Sequence, residues 1–193
     1  MTTGPESGRR TKLGKMSIEI RDHDPRWAGQ ASAVVQELSE AMPGTFTRIE
    51  HIGSTSVAGL AAKPIVDLMA GVNDLEAATA QLNAALPSLR FFPEETGMRG
   101  RLFFLRCEEE RRVCHLHVVP AATLATRNEI LLRDLLRCHP HHAERYAELK
   151  RALAASFADD GLAYTRGKTD LIQQFVDEAR EAVGLAPVPV WED

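Results

Sequence analysis

Residues 65–72, IVDLMAGV, are the stretch that most constrains the fold: a nearly uninterrupted apolar run interrupted by one aspartate. Such a run predicts a strand buried on both faces. Side chains alternate along a strand, so Ile65, Asp67, Met69 and Gly71 share one face, with Val66, Leu68, Ala70 and Val72 on the other. An ionised carboxylate in that setting is costly unless donors or a cation satisfy it. Two readings fit Asp67: it caps nearby backbone or pairs with an arginine, or it serves as a ligand or catalytic group.

The flanking pattern places other elements around this strand. A short strand is predicted over 18–20 and another over 46–52. Between them Asp24-Pro25 starts a helix whose buried face carries Trp27, Ala31, Val34, Val35, Leu38 and Met42, and Pro43-Gly44 stops it. A helix is expected over 75–86. Strands over 101–107 and 113–119, joined by the charged turn EEERR, read as an antiparallel hairpin. Beyond Pro120 the pattern is helical: Thr126 and Glu129 have capping-box spacing, Pro140 restarts a helix, Asp159-Asp160-Gly161 ends it, and a last helix runs up to Gly184. The fold class is therefore α+β, with a sheet carrying a helical C-terminal portion over 126–184. A single domain is expected over 16–185, between a disordered basic tail over 1–15 and an extended tail over 186–193.

Composition narrows the function classes. With 44% hydrophobic and 26% charged residues in 193, the chain can bury a full core. A formal net charge of −4 gives no chain-wide electrostatic match to nucleic acid, so nucleic acid is not the expected partner. No apolar run reaches the roughly 18 residues of a membrane span, and the polar, basic start does not read as a secretory signal. Three cysteines, Cys107, Cys114 and Cys138, have no Cys-x-x-Cys spacing, which argues against a disulfide framework or zinc knuckle and fits a cytoplasmic location.

Three constellations carry candidate chemistry. Gly53, Ser54, Thr55 and Ser56 offer backbone N–H groups and hydroxyls suited to a phosphate, and equally able to cap their own turn. The spacing is not that of a Walker motif; Lys63 follows on the way into the next strand. His115 and His117 project from one face of their strand, with Cys114, Leu116 and Val118 opposite. Such a pair binds a metal or phosphate, acts as acid and base, or is structural. Among the remaining basic residues, Arg99, Arg101, Arg133, Arg137, Lys150, Arg166 and Lys168 are candidates to line a pocket, while the aromatic residues read as core.

HIGSTSVAGLAAKPIVDLMAGV, CHLHVVP, LLRDLLRCHPHHAERYAELKRALA and YTRGKTDLI occur in that order and together resemble the GrpB family, over about residues 18–182. The resemblance implies kinship with nucleotidyltransferases of the DNA polymerase beta type, and hence a nucleotidyltransferase-like mixed β-sheet with flanking helices. The GrpB domain also occurs fused to dephospho-CoA kinases. The superfamily pattern is a Gly-Ser turn followed by a strand bearing Asp-x-Asp or Asp-x-Glu; Gly53-Ser54 and Asp67 match it, but Met69 stands at the second acidic position. That departure puts the two-metal mechanism in doubt, since it relies on several acidic ligands holding ions about 4 Å apart. If the hairpin strand lies beside the Asp67 strand, His115 and His117 sit where a third carboxylate would be. Asp67 with two imidazoles would then hold a divalent metal (Mn²⁺, Mg²⁺ or Zn²⁺), softer ions being favoured.

The expected activity is that of a nucleotidyltransferase-like enzyme on a small phosphate-bearing or nucleotide-linked substrate, or a divergent reaction in that pocket. Asp67, His115 and His117 are its catalytic candidates. His51, Gly53, Ser54, Thr55, Ser56, Lys63, Arg101 and Lys168 are its phosphate-binding candidates. The alternatives are a non-catalytic module binding a nucleotide or CoA-type metabolite, favoured by Met69, and a scaffold using the C-terminal helices.

Overall fold

Burial of the IVDLMAGV run is achieved by placing it second in a five-stranded mixed sheet. The computed structural model describes residues 17–109 and 111–190; the tail expected over 1–15, Glu110 of the charged turn and the last three residues lie outside them. β1 (Arg48–Ile52) pairs antiparallel with β2 (Val66–Val72) on one side, and β5 (Arg111–Pro120) pairs parallel with it on the other. β4 (Leu102–Glu108) runs antiparallel to β5, and β3 (Phe91–Pro93) closes the edge, giving the order β1-β2-β5-β4-β3. A parallel pair needs a crossover connection. Here α2 (Leu75–Ala85), a 3-10 turn over Leu86–Leu89, β3 and β4 supply it.

Alternation then sorts the two faces. Leu68, Ala70, Leu116 and Val118 point one way and pack with Ala31 and Leu38 of α1 (Arg26–Ala41) and Ala78 and Leu82 of α2. On the other face Met69 and Val119 meet Ile52, Leu124 of α3 (Ala121–Leu124) and Ile130 of α4 (Asn128–Cys138). A third cluster ties Val57, Leu60 and Ala61, which follow the glycine turn, to Leu135 and Leu136 of α4, Tyr146 of α5 (Pro140–Ser156) and Phe175 of α7 (Thr169–Ala182). The C-terminal helices are thus fastened to the turn, and α6 (Gly161–Arg166) brings Tyr164 in beside it.

Two of the expected helices are found. The Arg26 N–H at the start of α1 donates to Asp24 at 2.9 Å, and α2 is capped by Asp74, which accepts from the Ala77 N–H at 2.9 Å. Other expectations are corrected. Residues 18–20 form no strand: the Ile18 N–H goes to Ala158 and only Arg21 bridges, exchanging bonds with Ala62. The capping box does not form, because the Glu129 carboxylate pairs at 2.5 Å with Arg101, whose side chain is 8% exposed. A buried guanidinium left unpaired costs more than an uncapped helix N-terminus. Asp160 accepts from Leu162 and Ala163 N–H and begins α6, where the pattern had shown only a helix stop. β3 was not anticipated: three residues are too few for a pattern to register. Among the described residues no helix is long and apolar enough to cross a membrane.

Leu116 is fully buried in the cluster under α1 and α2. Leu116→Ala should lower unfolding free energy by roughly 2–5 kcal/mol, read from urea denaturation, because the rigid sheet cannot collapse into the hole.

Candidate functional site

The turn between β1 and β2 is built around Gly53, at φ 68° and ψ −173°. A Cβ there would lie 2.5 Å from Oδ2 of Asp67, so glycine is required both by the backbone and by the carboxylate packed on it. The 3-10 turn Ser54–Ser56 follows. Its hydroxyls divide. Thr55 Oγ1 bonds His51 Nε2 at 2.9 Å, and Ser56 Oγ donates to the Gly53 carbonyl at 2.6 Å, so both brace the turn. Arg137 donates twice to the Ser56 carbonyl, while Arg133 reaches Glu50 and the His51 carbonyl. Ser54 instead shares the pocket with Tyr146 and accepts at its Oγ from Lys150 Nζ at 2.9 Å.

The parallel register of β2 and β5 sets Asp67 opposite His115 and Met69 opposite His117. His115 Nδ1 meets Asp67 Oδ1 at 2.8 Å. Burial alone would raise the Asp67 carboxyl; the His115 hydrogen bond and the surrounding histidines outweigh it and hold the group below the usual carboxylate range. His115 Nε2 is buried with no protein partner. Burial pulls His117 down to about 4 and His51 to about 4, so both are neutral near pH 7. Phe103 flanks both strand histidines, its ring 4.6 Å from that of His117 and 5.4 Å from that of His115. Arg101 Nη1 lies 3.4 Å from His117 Nδ1 and holds Glu129. Cys114, pointing the other way, is buried in the core with its thiol pushed up by burial.

Opposite this pair stand three lysines. Lys63 Nζ sits 4.1 Å and Lys168 Nζ 4.7 Å from the centre of the Tyr164 ring, and Lys150 Nζ 4.5 Å from that of Tyr146. Lys150 is only 2% exposed and also donates to the Ala61 carbonyl. Burial, with Lys168 and Arg151 nearby, lowers it to about 7; burial and Lys63 lower Lys168 to about 8. Lys63 is lowered by burial, and Asp67 acts against the shift. Gly167 lets α6 close on Leu153, which a Cβ at that position would meet at 2.5 Å.

These groups surround one pocket of about 460 Å³. Of the positions singled out in the sequence, Gly53, Ser54, Thr55, Lys63, Asp67, His115, His117 and Lys168 line it; His51, Ser56 and Arg101 stand behind its wall. Tyr146, Tyr164, Glu129 and Thr165 line it unanticipated, and Lys150, one of several generic bases in the sequence, is central. A signal existed for Lys150: it lies four residues after Tyr146, on the apolar stripe that Tyr146 shares with Leu153. The YTRGKT stretch likewise contributes Tyr164, Thr165 and Lys168 together.

Residues 17–178 match the family described as GrpB protein. The chain belongs to the GrpB family. The crystal structure of conserved protein GrpB from Enterococcus faecalis superposes with a TM-score of 0.79 at 28% identity, covering 86% of this chain and 99% of that one. UPF0157 protein YqkA of Bacillus subtilis is 32% identical over 167 residues; the match takes in 86% of this chain but 48% of YqkA, so the chain spans about half the length of that relative. A shorter stretch, 92 residues or 44% of the chain, is 35% identical to a dephospho-CoA kinase of Mycobacterium bovis and covers 23% of it.

In this GrpB domain the donors do not fit the metal site outlined from sequence. Asp67, His115 and His117 share the pocket, yet among the described residues no three His, Cys, Asp or Glu side chains are arranged to hold a metal ion. One Asp67 oxygen is engaged by His115, the other is packed over Gly53, and Met69 is fully buried in a cluster with Ile52 and Val119. The three ammonium groups nearby favour anions over cations.

Two outcomes follow. Gly53→Ala should lose about 1–3 kcal/mol in thermal or urea unfolding, because φ 68° with ψ −173° is a region open essentially to glycine, and should shift the His115 ring resonances as Asp67 is displaced. Sulfate affinity, measured calorimetrically at fixed ionic strength, should fall as pH rises through about 7 and about 8, where Lys150 and Lys168 lose their protons. Sulfate keeps its own charge across that range, so the sign belongs to the protein.

Proposed function

We propose that this GrpB domain binds a small phosphate-bearing or nucleotide-linked metabolite and acts on it by nucleotidyltransferase-like group transfer. The observation that carries this is the convergence of Lys63, Lys150 and Lys168 on a pocket that ends at the Asp67–His115 pair. Transfer of a phosphoryl-type group is governed mainly by positioning and by electrostatic stabilisation of spreading negative charge. The lysines supply that stabilisation. Asp67, held ionised by His115, accepts the proton of an acceptor hydroxyl as its oxygen bonds to phosphorus, while the phosphorus–oxygen bond to the leaving group breaks and the lysines meet the departing charge. Neutral His117 and Glu129, fixed by Arg101, flank the acceptor side.

A second reading, a binding module without turnover, is favoured by one feature. Met69 fills the second acidic position of the Asp67 strand and is fully buried. Nucleotides and CoA-type metabolites are the ligands to try under either reading, given the stretch similar to dephospho-CoA kinases.

The deciding experiment is thermal denaturation against that panel, each ligand with Mg²⁺, with Mn²⁺ and with chelator, followed by product analysis for every binder. A ligand at 100 times its Kd should add about 2.7 kcal/mol. Asp67→Asn should keep the shift and cut turnover by at least about 100-fold. A shift without turnover selects the module. A panel without any shift sinks both readings.

A further inference from the structure

Among the described residues, no carboxylate forms an ion pair with Lys63, Lys150 or Lys168, although Lys150 is almost wholly buried and the other two are half-buried. Buried cations are ordinarily paired, because leaving water without a counter-charge is expensive. What holds these three is aromatic and neutral: the Tyr164 ring for Lys63 and Lys168, and the Tyr146 ring, the Ser54 hydroxyl and the Ala61 carbonyl around Lys150. A ring face steadies an ammonium group without neutralising it. The arrangement therefore holds three amines close together, Lys150 only part-protonated near pH 7, and leaves their counter-charge to be supplied from outside.

The same pocket is poor in what a cation needs. Its carboxylates are Asp67 and Glu129, the first bonded to His115 and the second to Arg101. Two carboxylates already engaged, set among three ammonium groups, cannot compete for a divalent ion as a cluster of free acids would. Nor do the tyrosines offer an open stacking face, since Tyr146 and Tyr164 are 6% and 2% exposed and Tyr164 is covered by lysines. Recognition therefore falls on phosphate oxygens.

We infer that the pocket is a metal-free polyphosphate site, in which Lys63, Lys150 and Lys168 take the charge-neutralising part that divalent cations play in related transfer chemistry. It rests on the phosphate-binding reading above and adds the ligand's polarity. Adjacent phosphates of a pyrophosphate-bearing molecule bridge Lys63 and Lys168 over Tyr164, beside the Ser54 turn. The uncharged part, carrying hydroxyl or amine donors, lies towards Asp67 and Glu129, which repel anions and accept hydrogen bonds.

Calorimetric titration of the whole chain with inorganic pyrophosphate, in EDTA and then in excess Mg²⁺, tests this. Pyrophosphate should bind in EDTA, and Mg²⁺ should weaken it by neutralising the anion. Lys63→Gln and Lys168→Gln, at positions open enough to leave folding intact by circular dichroism, should each weaken binding roughly ten- to hundredfold. Tyr164→Leu, which removes the ring face, should weaken it as well, whereas Arg166→Gln, an exposed change on the same helix, should not. Binding only when Mg²⁺ or Mn²⁺ is present overturns the inference and leaves the phosphate-binding reading standing. So does affinity for a nucleotide or CoA-type metabolite but not for pyrophosphate. Binding in EDTA that both lysine variants retain overturns it too, because the anion then sits elsewhere. If neither pyrophosphate nor any phosphate-bearing metabolite binds under any condition, both fall together.

Discussion

A carboxylate on a doubly buried strand has to be given donors, and the parallel pairing of β2 with β5 provides them. Register sets Asp67 beside His115, where the two side chains meet at 2.8 Å on the face turned away from the main core. Much else follows from that contact. Gly53 lacks a side chain because Asp67 occupies the place a Cβ would take. The turn can then pass directly over the carboxylate, and the C-terminal helices that pack on the segment after the turn are brought over the same spot. A larger residue at 53 or a one-residue slip of β5 would separate these parts, since such a slip sends every side chain to the opposite face.

The pocket formed in this way is electrostatically lopsided. One side carries carboxylates already bonded to His115 and Arg101, the other carries three lysines braced by rings and neutral oxygens. Burial weighs on all three, lowering Lys150 to about 7 and Lys168 to about 8, so Lys150 holds its proton less tightly than Lys168. A site with this asymmetry selects ligands that are themselves polar along their length, anionic at one end and donor-bearing at the other. The family places the domain in GrpB, but its chemistry has to be argued from these side chains.

Much of the scaffold was legible before the structure. The 65–72 run, the Gly-Ser turn and the alternation that separates His115 and His117 from Cys114 each rest on local geometry with a fixed period, and each holds. Strand 18–20 and the Thr126–Glu129 capping box failed for a shared reason: in both, a longer-range partner, Ala158 or Arg101, took the group that the local pattern had claimed. The phosphate-binding set was half separated. Ser54 turns into the pocket and Ser56 turns back on the Gly53 carbonyl, a choice that two nearby serines do not advertise.

Sequence by itself determined which residues are available: one acid on a buried strand, two histidines on one face, a glycine where a turn needs it. These follow from covalent geometry and hydrophobic periodicity, which act over a few residues. Only the tertiary structure decided which of them meet. Lys63, Lys150 and Lys168 are separated by up to 105 residues (168 − 63) and look like any other surface bases along the chain. They converge because α5, α6 and the start of α7 pack across the turn, burying Tyr146 and Tyr164 and carrying Lys150 and Lys168 in to meet Lys63. Charge placed by packing rather than by pattern has no period to read.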